Sequence, residues 1–252
     1  MTIATAVDGI INLHKPVGIT SAKALYRVRK MTGQRKSGHG GALDPDATGV
    51  LLLCMGRATK LVESIMDQPK VYRTTARLDL ISESGDSDGE TTTVSVKSRP
   101  TWSQLVEACA SFEGEIMQTP PAISAVKIGG VPAYKRHRMG QSFEIRPRKV
   151  RIDWIHVCSY DWPNLTFEMC CGRGTYVRSL IRDLGERLAT GGCLTGLSRT
   201  RIGPFTIEAA RDFNAIESAG DSGEYLIDLD AARRMLDPSL IEIPSRPPPA
   251  AR

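Results

Sequence analysis

The chain has 252 residues, 41% of them hydrophobic and 24% charged, with a formal net charge of +5. This composition excludes collagen-like, disulfide-dense and wholly disordered classes. The length suits one large domain, or one domain with a small appendage, and no apolar run approaches the ~18 residues of a membrane helix.

The N-terminus lacks a basic start followed by an apolar stretch, so no signal peptide is expected. Residues 9–13 read as a short apolar strand, and Lys15-Pro16-Val17-Gly18 as a turn. Ser21 is positioned to cap a helix over 21–32, with Leu25 and Val28 on its apolar face. Residues 33–49 form a glycine-rich loop, and 50–55 are continuously apolar, as in a buried strand. A helix is expected over 58–66. A strand over 71–80 puts Tyr72, Thr74, Ala76 and Leu78 on one face, with Arg73 and Arg77 on the other.

Residues 82–92 are an acidic turn. Thr101 and Gln104 make a capping box, opening a helix that Gly114 ends. Residues 119–151 are basic and punctuated by Pro and Gly. Strands follow near 151–159 and 165–171. From Thr175, Val177, Leu180, Ile181, Leu184 and Leu188 keep helical spacing until Gly191-Gly192. Beyond Phe205 the chain turns net acidic, and 245–252 is a Pro-rich tail expected to fray. Strands and helices mix without regular βαβ alternation, which favours an α+β fold.

Charge is segregated. Residues 9–43 carry Lys15, Lys23, Arg27, Arg29, Lys30, Arg35 and Lys36 and no acid. Residues 135–151 hold a second basic run and 171–201 a third, so the rest of the chain is net acidic. Three separated basic segments that converge in a fold are the footprint of a polyanion binder.

Most motifs of cofactor chemistry are missing. The loop from Gly33 to Gly40 fails as a phosphate-binding P-loop, because His39 and Gly40 follow its second glycine instead of Lys and Ser or Thr. Asp86-Ser87-Asp88-Gly89-Glu90 lacks the remaining ligands of a calcium loop. The six cysteines include no C-x-x-C pair and are expected to be free thiols, with Cys170 and Cys171 on opposite faces of a strand. The informative stretch is Gly38-His39-Gly40-Gly41-Ala42-Leu43-Asp44-Pro45-Asp46-Ala47-Thr48-Gly49-Val50. It sets a carboxylate in a glycine-rich loop, with cations on its N-terminal side and a buried strand after it.

That stretch resembles the catalytic motif of the TruB family of tRNA pseudouridine synthases, close to G-H-x-G-x-L-D-P-x-A-T-G-V-L. Further resemblances follow in order. Lys15-Pro16-Val17-Gly18-Ile19-Thr20-Ser21 looks like K-P-x-G-x-[ST]-S, and Lys70-Val71-Tyr72 like K-x-Y. Pro120 to Lys127 resembles P-P-x-x-S-A-x-K, and Gly174-Thr175-Tyr176-Val177-Arg178-Ser179-Leu180 resembles G-T-Y-[IV]-R-[ST]-L. Leu197-Ser198-Arg199-Thr200-Arg201 resembles the family's closing L-x-R-x-R. The segment after Leu78 departs from the pattern, which usually begins with glycine there.

The resemblance implies a mixed, mainly antiparallel sheet flanked by helices around a central cleft. It implies a catalytic domain over 1–205, and a short extension over 206–252 in place of a complete RNA-binding appendage of the PUA type. It implies isomerisation of a uridine, position 55 of the T loop, to pseudouridine in tRNA. Asp44 is then the nucleophile, Arg178 its counter-ion and Tyr72 the platform under the flipped uracil. His39 fills the vacated space. Lys15, Lys127 and Tyr176 line the pocket or touch the RNA backbone, and Arg35 and Lys36 grip phosphates. No cofactor, metal, membrane or obligatory protein partner is implied, and the expectation is a cytoplasmic monomer. Two other readings stay open: the same chemistry on another RNA chosen by a guide or partner proteins, and a tRNA-folding chaperone.

Overall fold

The structure, a computed structural model, describes residues 7–219 and 221–248. The expectations for the extreme N-terminus and the last four residues of the tail lie outside the described residues. In chain order the elements are β1 (Gly9–Lys15), α1 (Ser21–Thr32), β2 (Ser37–His39), β3 (Thr48–Met55), α2 (Val62–Asp67) and β4 (Lys70–Arg77). Next come β5 (Leu80–Ser82), β6 (Thr91–Thr93), α3 (Trp102–Ala110), β7 (Gly114–Gln118), β8 (Lys127–Ile128), β9 (Val131–Pro132) and α4 (Ala133–Arg138). The chain ends with β10 (Arg148–Asp161), β11 (Asn164–Cys171), α5 (Val177–Leu188), β12 (Cys193–Ile202), β13 (Phe205–Thr206), α6 (Phe213–Ser218), β14 (Leu226–Asp228) and α7 (Leu229–Met235). This is an α+β arrangement. No described helix is long and apolar enough to cross a membrane.

The chain forms two compact units. The first holds residues 1–72 and 197–245, the second 73–196 and 246–252, so the chain passes between them within β4, within β12 and again after Ser245. In the first unit the strand order is β14-β1-β3-β12. β1 runs antiparallel to β3, from Gly9 opposite Met55 to Lys15 opposite Gly49. β12 joins β3 in parallel, with Arg199 opposite Gly49. The continuous apolar run of β3 follows from burial on both faces. Val50, Leu52 and Cys54 pack with Ile65, Phe205 and Leu229. Leu51, Leu53 and Met55 pack with Ala24, Val28, Phe213 and Ile216. Residues 206–236, set apart by the sequence, thus supply the end of β13, β14 and helices that cover this sheet.

Three local expectations change here. The loop over 33–49 contains β2, which pairs antiparallel with β3. Thr20 caps α1 by accepting from Lys23 N; the Ser21 hydroxyl is used elsewhere. The helix over 58–66 begins as a 3-10 turn from Gly56 to Leu61, before α2.

In the second unit β10 pairs antiparallel with both β11 and β7. Helix α3 opens on the expected Thr101–Gln104 capping box but ends at Ala110; Gly114, at positive φ, instead opens β7. Helix α5 buries Val177, Leu180, Ile181 and Leu184 at the expected spacing. It stops at Ala189, in the left-handed region, before the glycine pair. Those glycines serve close approach: a Cβ on Gly192 would stand 2.2 Å from Ile181 O. Both faces of β11 are covered, so Cys170 and Cys171 are buried alike although they alternate. All six thiols are free, and burial pushes Cys54 and Cys109 up to about 12, which leaves them inert as nucleophiles.

Candidate active site

Asp44 is exposed, on the loop between β2 and β3. Its two neighbours are pinned by buried groups. The Ser21 hydroxyl, 3% exposed, donates to Leu43 O at 3.0 Å and accepts from Leu43 N at 2.8 Å. Pro45 O accepts from Lys15 Nζ at 3.0 Å and from Gly18 N at 2.9 Å. The loop also closes on itself, Ala47 N donating to Asp44 O at 3.2 Å. With both neighbours held, the backbone that carries the exposed Asp44 carboxylate is fixed in place.

Lys15 is fully buried at the end of β1, and its ammonium donates to the carbonyls of Pro16, Ile19 and Pro45. The side chain therefore holds the loop from inside. Burial lowers its pKa from the ordinary lysine range to about 8, against the opposing pull of the Asp46 and Asp44 charges.

Arg199 on β12, 2% exposed, completes the support. Its Nε donates to Val50 O at 2.8 Å, and its two terminal nitrogens to Gly41 O at 3.0 Å and Ala42 O at 3.5 Å. Its own backbone crowds Gly49, where a Cβ would stand 2.2 Å from Arg199 O at a φ of +105°. Glycine is required there by space and by conformation. The family-like stretch quoted Arg199 only as part of a closing motif. Its role as a fork under the Asp44 loop depends on a partner 149 residues away, which no local signal reveals.

His39 ends β2 opposite Leu53. Burial, and then the Arg199 charge, lower its pKa, so the imidazole is neutral at pH 7. Its Nδ1 is buried with no hydrogen-bond partner among the described residues. Arg35 and Lys36 are exposed on the turn after α1, and Tyr72 is half-buried on β4. Five of the predicted residues (Lys15, Arg35, Lys36, His39 and Asp44) thus sit with Tyr72 in the first unit.

The second unit carries Arg178, Tyr176 and Lys127. Arg178, 6% exposed on the first turn of α5, donates to Ser84 O at 2.9 Å and Ile123 O at 3.0 Å. It also pairs with Asp86 at 3.3 Å. Asp86, from the acidic turn over 82–92, thus faces a buried guanidinium. Tyr176 immediately precedes α5, with the Arg148 guanidinium 5.0 Å from its ring centroid. Lys127 is exposed on a tight hairpin, opposite Pro132 across Gly129-Gly130. Among the described residues, no group of His, Cys, Asp and Glu is placed to hold a metal ion.

The N-terminal domain of the TruB family pseudouridylate synthases matches residues 29–177. The chain belongs to that family. It is an isomerase of the pseudouridine-forming class. It is 41% identical over 217 residues to tRNA pseudouridine synthase B of Burkholderia mallei (strain NCTC 10247), covering 85% of this chain and 70% of that protein. It is 40% identical over 243 residues to tRNA pseudouridine synthase B of Dinoroseobacter shibae, covering 96% of this chain and 78% of the relative. Among solved structures, a Cbf5–Nop10–Gar1 complex contains a chain with a TM-score of 0.70 and 27% identity. The match covers 90% of this TruB-family chain but 62% of that one. The α+β fold read from the sequence is that of a pseudouridine synthase.

Proposed function

We propose that this TruB-family chain converts a uridine in the T loop of tRNA, position 55, to pseudouridine, with Asp44 as the nucleophile. The observation that carries the reading is an exposed carboxylate whose flanking peptides are both held by buried groups. The relatives named tRNA pseudouridine synthase B support the substrate class.

The reaction breaks the C1′–N1 bond, turns the uracil and forms C1′–C5. The C5 proton leaves and N1 gains one, so no external donor enters the balance. A covalent carboxylate step divides the displacement into two easier ones. Asp44 must be ionised, and Arg178 is the cation proposed to favour that form. The target base leaves its stack to reach the site. Tyr72 supports the flipped ring, and neutral His39 takes the space it vacates. Tyr176 lines the pocket, while Lys127, Arg35 and Lys36 meet phosphates, which makes affinity fall with salt. The enzyme acts as a cytoplasmic monomer without protein partners.

Turnover on an unmodified tRNA transcript, with the product position mapped, tests this. The expected result is one pseudouridine at the T-loop uridine, lost in Asp44→Asn and kept in Asp46→Asn. Loss with Asp46→Asn alone would reassign the nucleophile. No product from wild type alone, with product on adding a guide RNA or partner proteins, would favour assisted modification of another RNA. Refolding of tRNA by Asp44→Asn without turnover would establish a chaperone role.

A further inference from the structure

The second unit contains a support for Tyr176 that none of the sequence motifs marks. β7 ends at Gln118, which is 1% exposed and lies opposite Arg148 of β10 in the antiparallel ladder. Both side chains of this cross-strand pair reach the same residue. Gln118 Oε1 accepts from Tyr176 N at 2.8 Å, and Gln118 Nε2 donates to Tyr176 O at 3.1 Å. One amide thereby engages both backbone groups of Tyr176, whose carbonyl also accepts from Leu180 N at 3.1 Å. Arg148 lays its guanidinium against the ring at 5.0 Å, and one of its nitrogens donates to Gly174 O at 2.8 Å.

Helix α5 begins without a side-chain cap. Tyr176 occupies the N-cap position of α5, yet its own side chain makes no capping hydrogen bond. The usual residues there carry a short acceptor that satisfies an early N–H. An aromatic ring cannot do so; Gln118 does not replace that cap but holds the peptide groups of Tyr176 itself, anchoring the uncapped helix start from β7. Thr119, next along, accepts from Ser179 Oγ at 2.8 Å and from Arg182 at 3.2 Å. The end of β7 therefore docks the first turns of α5, the segment that carries Arg178.

We propose that Gln118 is a positioning residue for pseudouridine formation: with Arg148 it fixes the backbone and ring of Tyr176 against the substrate base. This rests on the functional reading above. It goes beyond it by assigning a buried amide, outside the quoted family-like motifs, to the geometry of the pocket wall.

The test separates chemistry from binding and from folding. Gln118→Met keeps length and burial but loses both hydrogen bonds; Gln118→Glu keeps the acceptor for Tyr176 N. Single-turnover rate constants and RNA Kd are measured at 25 °C, with thermal melts of each variant. Gln118→Met is expected to slow single turnover at least tenfold while Kd stays within twofold, and Gln118→Glu to recover part of the rate. In a Tyr176→Ala background, Gln118→Met should slow turnover much less than it does in wild type, because the residues act as a unit. A Gln118→Met protein that melts lower but turns over at the wild-type rate would overturn the proposal. Full additivity with Tyr176→Ala would overturn it too. If wild type forms no pseudouridine on any RNA, the functional reading fails and the positioning role falls with it; active wild type with an indifferent Gln118 sinks only the latter.

Discussion

Replacing Lys15 with methionine isolates the lock on the Asp44 loop. Methionine fills the buried stem but donates nothing, so the carbonyls of Pro16 and Ile19 lose the ammonium, and Pro45 O keeps only Gly18 N. Hydrogen bonds from a charged donor contribute about 1.5–3 kcal/mol each, and removing a buried charge offsets part of that, so the net cost is about 2–3 kcal/mol. For a chain of this size that lowers Tm by about 4–12 °C. Activity should suffer more than stability implies, because misplacing a reacting group by about 1 Å costs about a hundredfold.

The pH dependence adds a second signature. The folded pKa of Lys15 lies near 8, below its unfolded value of 10.5. Between those values the unfolded chain holds one more proton than the folded one, so this group makes stability rise with pH. Over the same range the amine loses one donor and its charge beside Asp44, so the rate falls. Single-turnover rates from pH 6 to 10, with urea unfolding at each pH, give both curves. Wild type should show an alkaline fall near 8 that Lys15→Met lacks. A Lys15→Met protein with wild-type Tm and rate would refute the lock.

Gly49→Ala should cost about 3 kcal/mol in urea unfolding, because the new methyl meets Arg199 O at positive φ. Gly18→Ala, also at positive φ but in open space, should cost about 1 kcal/mol, separating strain from collision. Arg199→Lys loses the fork onto Val50, Gly41 and Ala42 and should destabilise by about 2–4 kcal/mol, read from a thermal melt. Changing Arg35 and Lys36 together to glutamine should reduce the slope of log affinity against log salt by about 1.5, leaving the single-turnover rate at saturating RNA unchanged. An unchanged slope would remove them from the RNA contact.

The parts of this protein legible in its sequence are those whose cause is local. The Thr101–Gln104 box, the apolar spacing of α5 and the unbroken apolar run of β3 each state their structure within a few residues. The Asp44 loop stood out because glycines, a carboxylate and upstream cations occur together in one short stretch. Where two local signals competed, tertiary contact chose between them. Ser21 was free to cap α1, but its hydroxyl is taken by Leu43 and Thr20 caps instead. Gly191 and Gly192 read as a helix stop, yet α5 ends earlier and the glycines admit Leu80 and Ile181 backbone.

What holds the site lay beyond local reading. Lys15 was expected to line the pocket or touch the RNA backbone, and folding makes it a buried donor to three carbonyls. Arg199 stood out only as part of a closing motif, and becomes the fork beneath the glycine loop. Gln118 carried no signal until β7 paired with β10 and placed it at the start of α5. The sequence by itself determined the α+β class, the family and most of the elements, and singled out Asp44 as the expected carboxylate, because periodicity, caps and short motifs act over a few residues. Only the tertiary structure decided which buried polar groups fix that carboxylate and the start of α5. A buried donor must find its acceptor wherever the fold presents one, and sequence distance places no limit on that.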